Sequence, residues 1–432
     1  MRLDKKILYF ILYWILYSGL IEIYIIRTPF IPIVADFLLI ILLIKRTAFK
    51  ASQIKKCLGH VIPIIIYLFI TLGTISSLLN LITVPTYLWG LHYYIRYWIL
   101  LICAYRTFNK HDVLKIKRIL YKATFINIIL CIIQVAMGIK GDPLGGTFSG
   151  GNAEIALLII MMTIIVSCDY FYKYISLKKA LLIVCGFLFI AILGEIKFLY
   201  FVIPLCMYGC YTFIKKGSIK PIIILIILFF TFIPIMKGVL SLYYDENYVE
   251  MVFDENKIDE NIHSAHNFQE RGMNRGTSVQ IVTTYILKNK YDLLFGKGIG
   301  AGSASSLFSS SIYQEFRDTN YYNFTLAYVL VECGWIGLIL FCLTYAFLFL
   351  RFFRIYLTYT DSQIKYWTIC GSLGSVMTGM LIWYNAEVLF AFYIYFFFYS
   401  ICFIAIRERK QFLRDQIKIN GKSICNSSCI QR

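Results

Sequence analysis

Runs of about twenty apolar residues, each closed by a short polar stretch, recur along most of this chain. A helix needs about twenty such residues to cross the hydrocarbon core of a bilayer. Read at that spacing, the pattern predicts spans near residues 7–24, 29–44, 58–79, 85–105 and 119–139, with a sixth beginning at Asn152. The apolar run 180–214 is too long for one ordinary span, and the polar Gly194-Glu195-Ile196-Lys197 inside it predicts a tight turn between two. Further spans are expected at 221–243, at 323–350, and as a hairpin that turns near 385–387. The expected fold is therefore all-α, a polytopic membrane helix bundle of about twelve transmembrane helices. One stretch breaks the pattern. Residues 244–322 are mostly polar and form one large loop, which divides the chain into 1–243 with nine helices, the loop, 323–406 with three helices, and a basic tail at 407–432.

An apolar share of 59% and a mean hydropathy of +0.71 exclude an ordinary soluble protein, whose apolar share is nearer a half. The net charge of +18 would suggest nucleic acid in a soluble domain. Here the Lys and Arg sit in short clusters between apolar spans, as the positive-inside rule predicts, so the expected partner is the bilayer and not a nucleic acid. Placing the clusters at Lys5, Lys56, Arg106 to Arg118, Lys173 to Lys179, Lys215, Arg351 and the tail on the cytoplasmic face puts both termini there too. The same parity places Asn152, Lys197 and the long loop together on the outer face. The thirteen Cys lie mostly in apolar spans and none is in the loop, so no disulfide framework is expected. Cys425 and Cys429 have no His beside them, and no metal or other cofactor is expected. The first apolar run has no small-residue cleavage site and reads as a retained span.

Within the loop, an acidic part from Asp245 to Glu260 is followed by a segment 277–294 in which Ile281, Val282, Tyr285, Ile286 and Leu287 suit an amphipathic helix lying on the membrane. Phe295-Gly296-Lys297-Gly298-Ile299-Gly300 then reads as a turn with amides near phosphate, not as a nucleotide fingerprint, because no strand precedes it. The many Tyr and Phe are expected mainly at the lipid-facing and interfacial surface. Arg96 and Glu332 fall inside spans, where a charge costs about 2.5–3.5 kcal/mol on insertion scales, so each is either functional or paired between helices.

Taken in order, these elements resemble the O-antigen polymerase and O-antigen ligase superfamily of bacterial surface-polysaccharide assembly. Gly146-Thr147-Phe148-Ser149-Gly150-Gly151-Asn152 is similar to its element before a middle span, and Lys197 stands where many members have Arg. Arg275 followed by the glycine-rich stretch is similar to its loop core, and Val331-Glu332-Cys333-Gly334-Trp335-Ile336-Gly337 to the span after it. The resemblance covers residues 141–340. Ligases carry a His-Asn pair nine residues before that Glu; Asn323 and Phe324 stand there instead, which favours polymerase over ligase.

The resemblance implies oligosaccharide repeat units on undecaprenyl diphosphate as substrate, the bacterial cytoplasmic (inner) membrane as location, and a flippase and a chain-length regulator as partners. Breaking the sugar–diphosphate bond leaves an anion that fixed cations stabilise, and the planar fork of Arg binds phosphate oxygens in pairs. Arg275, Arg271 and Lys197 are the expected cations, with an exposed loop charge, a pair with the acidic part of the loop, or a side chain reaching toward headgroups as the plain alternatives. Asp318 and Glu270 are candidates for the base that takes the acceptor hydroxyl proton, and Asn152, Asn323, Gly296 and Gly298 for substrate contacts. A transporter of lipid-linked sugars, or a non-catalytic scaffold, are the readings from other classes. A transporter would place charges through the bundle midplane and repeat its halves; few mid-span charges and no repeat are seen.

Overall fold

A computed structural model describes residues 3–26, 28, 31, 33–44, 51–215, 238, 241, 273–305 and 309–429, with the backbone alone at 51, 53 and 418–429. Arg271, Glu270, the acidic part of the loop, most of the span expected at 221–243, and the side chains of Cys425 and Cys429 lie outside the described residues.

The described chain is helical and carries no β-sheet, only one isolated bridge between Ala304 and Ser309. Its first part folds as α1 (Leu3–Tyr24), α2 (Ile33–Ile44), α3 (Ala51–Leu58), α4 (Val61–Leu79), α5 (Val84–Thr107), α6 (Lys110–Ala136), α7 (Gly151–Phe171), α8 (Leu177–Leu193) and α9 (Lys197–Ile214). After the loop come three long helices, Thr325–Thr358, Ser362–Tyr384 and Tyr393–Cys429. Six of these helices, α1, α4, α6, α7, α9 and Thr325–Thr358, are long and apolar enough to cross a membrane. A helix satisfies its own backbone groups, which is what an apolar medium demands of a spanning segment. The second expected span comes out short: α2 has 12 residues, about 18 Å, against a hydrocarbon core of about 30 Å.

Local sequence sets where helices begin and how they meet. Asn109 caps α6 by accepting from the His111 and Asp112 amides, and the Asp112 carboxylate accepts back from the Asn109 N–H at 2.9 Å. The same carboxylate takes Lys5 at 2.7 Å and the Tyr9 hydroxyl at 2.8 Å, tying α1 to α6 at one end of the bundle. At this end also lie Lys117 with Asp169 at 2.5 Å, Arg409 with Asp361 at 2.8 Å, and Arg407 on the Phe108 carbonyl at 2.7 Å. The Lys and Arg clusters of the sequence thus gather at one end. The opposite end holds the α6–α7 loop, the α8–α9 turn, residues 273–305 and the turn after Tyr384.

Two mid-helix features organise the interior. Arg96 of α5 donates to Asp36 of α2 at 3.1 Å and to the Leu389 and Phe390 carbonyls at 3.0 and 2.7 Å, with Tyr93, Tyr97 and Tyr393 around its guanidinium. It is an interhelical clamp on the turn that follows Tyr384. The aromatic excess, expected at the lipid surface, is in good part internal: Phe392, Tyr395, Phe396, Phe397, Phe398 and Tyr399 are fully buried. They pack edge-to-face and stacked along the last long helix, an arrangement the ring quadrupoles favour.

Candidate functional site

The α6–α7 loop is held from below by two amides. Asn127 and Gln134 stand seven residues apart on one face of the otherwise apolar stretch of α6. The Asn127 carbonyl oxygen accepts from the Thr147 amide at 2.8 Å, while Gln134 exchanges two bonds with Gly146, at 2.8 and 3.1 Å. Leu144, Thr147 and Phe148 are buried as a result. The loop then delivers Asn152, whose side-chain amide nitrogen donates to Asp142 Oδ1 and to the Gly194 carbonyl, both at 2.8 Å. Asn152 therefore braces the α6–α7 loop against the α8–α9 turn. With its amide nitrogen so engaged, it acts as a positioning residue and offers a ligand only its carbonyl oxygen.

The α8–α9 turn is as tight as the sequence predicts: Gly194, Glu195 and Ile196 join the helices, with Glu195 in the left-handed region at φ 55°. Glu195 reaches back over Gly141 of the preceding loop. Lys197 opens α9, within the electrostatic reach of Glu195 and of Arg275. Its neighbour Phe198 stacks on the Tyr384 ring, centroids 4.2 Å apart and 16° between planes. Arg275 lies over the Tyr384 ring in turn, 4.2 Å from its centroid, and its Nε donates to the Tyr384 carbonyl at 3.0 Å. The guanidinium is thus held by one edge and one face. Among the described residues its two Nη groups make no hydrogen bond, and the side chain is exposed. Three segments far apart in sequence, around Asn152, Lys197 and Arg275, meet here.

Gly296 and Gly298 do something else. The helix Thr325–Thr358 is kinked at Gly334, which has φ 62° and ψ −169°. The break frees the Val331 and Glu332 carbonyls, which accept the Lys297 and Gly298 amides, each at 2.8 Å; the Gly296 amide goes to the Asp292 carbonyl at 2.7 Å. The Glu332 carboxylate, fully buried, accepts from the Gly300 and Gly302 amides at 3.0 and 3.2 Å, from Ser303 at 3.2 Å and from the Tyr94 hydroxyl at 2.9 Å. Ser76 and Ser77 of α4 donate to the Gly296 and Ile299 carbonyls. A Cβ on Gly298 would stand 2.4 Å from the Ser77 Cα. The expected phosphate contact at Gly296 and Gly298 is corrected accordingly: these amides serve helix carbonyls, and the loop passes against the Glu332–Cys333 backbone at Gly296 and against α4 at Gly298 with no room for side chains.

The remaining candidates flank the site. Asp318 is half-buried in a one-turn helix, Arg317–Thr319, whose Thr319 carbonyl accepts the Met273 amide at 2.9 Å. Among the described residues no ion pair joins Asp318 to Arg275. Asn323 is exposed just before Thr325, which donates to the Asn385 carbonyl. The segment 277–294 breaks into three short pieces and buries Val282, Ile286 and Leu287 against the protein, where the sequence predicted one helix lying on the membrane.

Several residues at this end carry no signal that the sequence reading used. Tyr384 is the platform for Arg275. Glu387, two residues beyond Asn385, is half-buried, and burial first and the nearby Glu154 second push its carboxyl up to about 8. Glu154 lies two residues past Asn152 and folds back over Gly150. An acid at the end of an apolar run, on the side poor in Lys and Arg, is the pattern that marks both. The arrangement is two cations within electrostatic reach of each other and, at the same end of the bundle on the turn after Tyr384, a carboxyl that keeps its proton near neutrality. It can bind an anion and take or give a proton there. No protein-family model matches this chain, and no curated protein matches it in sequence.

Proposed function

We propose that this protein is an integral membrane glycosyltransferase that polymerises oligosaccharide repeat units carried on undecaprenyl diphosphate, at the outer face of the bacterial cytoplasmic membrane. The observation that carries the reading is Arg275 held over Tyr384 within electrostatic reach of Lys197, at the end of the bundle away from the Lys and Arg clusters. The acceptor sugar hydroxyl attacks the anomeric carbon of the donor chain, and the bond from that carbon to the diphosphate oxygen breaks. Arg275 and Lys197 hold the departing diphosphate, whose charge develops as the bond lengthens. Glu387, as its carboxylate, accepts the hydroxyl proton. Asn152 keeps the two turns in register so that the cations face one point.

Deleting the gene tests the reading. Single repeat units should still be exported and attached to their final acceptor, while the ladder of longer chains disappears from a gel of surface polysaccharide. Long chains that remain intact but stay on undecaprenyl diphosphate would make the protein a ligase. Single units accumulating on the cytoplasmic leaflet would make it a transporter.

A further inference from the structure

A cavity of about 630 Å3 opens at the opposite end of the bundle, where the last helix runs on past Ile406. Its floor is apolar, with Ile355, Phe403 and Ile406, and its rim carries Lys56, Arg351, Arg407, Lys410 and Arg414 against a single acid, Asp415. Arg407 is already engaged by the Tyr105 and Phe108 carbonyls and by Glu408. Among the described residues the other four form no ion pair. Arg351 donates one Nη to the Lys56 carbonyl at 2.8 Å, but its buried Nε has no hydrogen-bond partner among the described residues. Lys410 sits 4.2 Å over the Tyr359 ring, and burial, then Arg351 and Arg414, push its ammonium down to about 8. Five cations crowded together and partly dried against one acid among the described lining residues form a site that an anion completes.

The occupant is indicated by where the cavity lies. The helix Thr325–Thr358 passes from the Asn385 turn at one end to Arg351, 26 residues later, which is at most about 39 Å along a helix that kinks at Gly334, so Arg351 stands near the far side of a hydrocarbon core about 30 Å thick. There the phosphates of the membrane surface and the first methylenes of the lipid chains are at hand. A free anion would have no use for the apolar floor. We propose that Lys56, Arg351, Lys410 and Arg414 bind the phosphate of an anionic phospholipid headgroup, with its glycerol and upper chains on Phe403, Ile355 and Ile406.

Native mass spectrometry of the full chain in detergent, with phosphatidylglycerol, phosphatidylcholine or inorganic phosphate added, tests this. Half-buried Lys410 and exposed Arg414 are changed together, Lys410→Gln with Arg414→Gln, and Lys110→Gln, exposed at the same end but outside this cavity, is the control. Wild type and control should retain phosphatidylglycerol in preference to phosphatidylcholine. Each cation removed should weaken retention about fivefold, so the double variant about 25-fold. Equal retention of phosphatidylglycerol by the double variant overturns the site. Equal retention of phosphatidylcholine by the wild type overturns the requirement for anionic charge, and inorganic phosphate bound as tightly as phosphatidylglycerol overturns the lipid as its source. Unchanged thermal unfolding of the double variant in lipid-free detergent separates lost binding from lost folding.

Discussion

Arg275 is held from behind, by a ring and a carbonyl, with its fork outward. Its contribution to the fold is small, since an exposed cation over an aromatic ring is worth about 0.5–1 kcal/mol. Arg275→Ala should therefore leave the amount of protein in the membrane unchanged while abolishing long chains, and Arg275→Lys should restore them only in part, because an ammonium lacks the paired geometry. Full chain length in the Ala variant would remove Arg275 from the site. Glu387 makes a pH prediction of known sign. A base works as its carboxylate, so polymerisation by purified protein should climb from pH 6 and level off above about 8, and Glu387→Gln should lose both rate and slope. Stability moves independently. A carboxyl raised from about 4.3 when unfolded to about 8 when folded contributes fully below the lower value and loses that contribution as pH rises through the upper one. Glu387→Gln should thus unfold at a higher temperature than wild type at pH 9, and the gain should shrink at pH 5.5.

The glycine-rich loop and the kinked helix are one element in two pieces. The helix gives up its ladder at Gly334, and the loop amides replace what is lost, with the Glu332 carboxylate closing the rest. Each buried donor left without an acceptor costs about 1–3 kcal/mol. Glu332→Ala strands the Gly300 and Gly302 amides, so the folded protein recovered from membranes should fall sharply. Glu332→Gln, which keeps a carbonyl oxygen for those amides, should be milder. Gly298→Ala adds about 1–3 kcal/mol of strain at φ 98° and a clash with Ser77, so it should act on yield and thermal unfolding. A Gly298→Ala protein that folds normally and fails only in substrate affinity would return this loop to the binding site.

Across the whole molecule the two ends differ in chemistry. One gathers the Lys and Arg clusters, the other the turns that carry Asn152, Lys197 and Arg275. If the basic end faces the cytoplasm, a reporter active only outside it should work when fused after Asn152, Glu195 or Ser310 and stay silent after Lys117 or Arg409. The reverse pattern would put the proposed chemistry on the side where its substrate is absent.

Hydropathy is a local property, so the sequence by itself determined the all-helical class, the bounds of most helices, the break at 194–197 and the parity that brings three polar segments to one end. The same locality explains what it left out. Phe198 and Arg275 each meet Tyr384 across more than a hundred residues, and nothing in the periodicity of any one helix marks Tyr384 as a platform. The glycines after Phe295 look alike whether their amides face phosphate or a helix, and only the kink at Gly334 decided that they face the helix. A run of aromatic residues reads as lipid-facing until its neighbours are known; here the neighbours were other helices, because rings buried against rings lose water and gain close contact together.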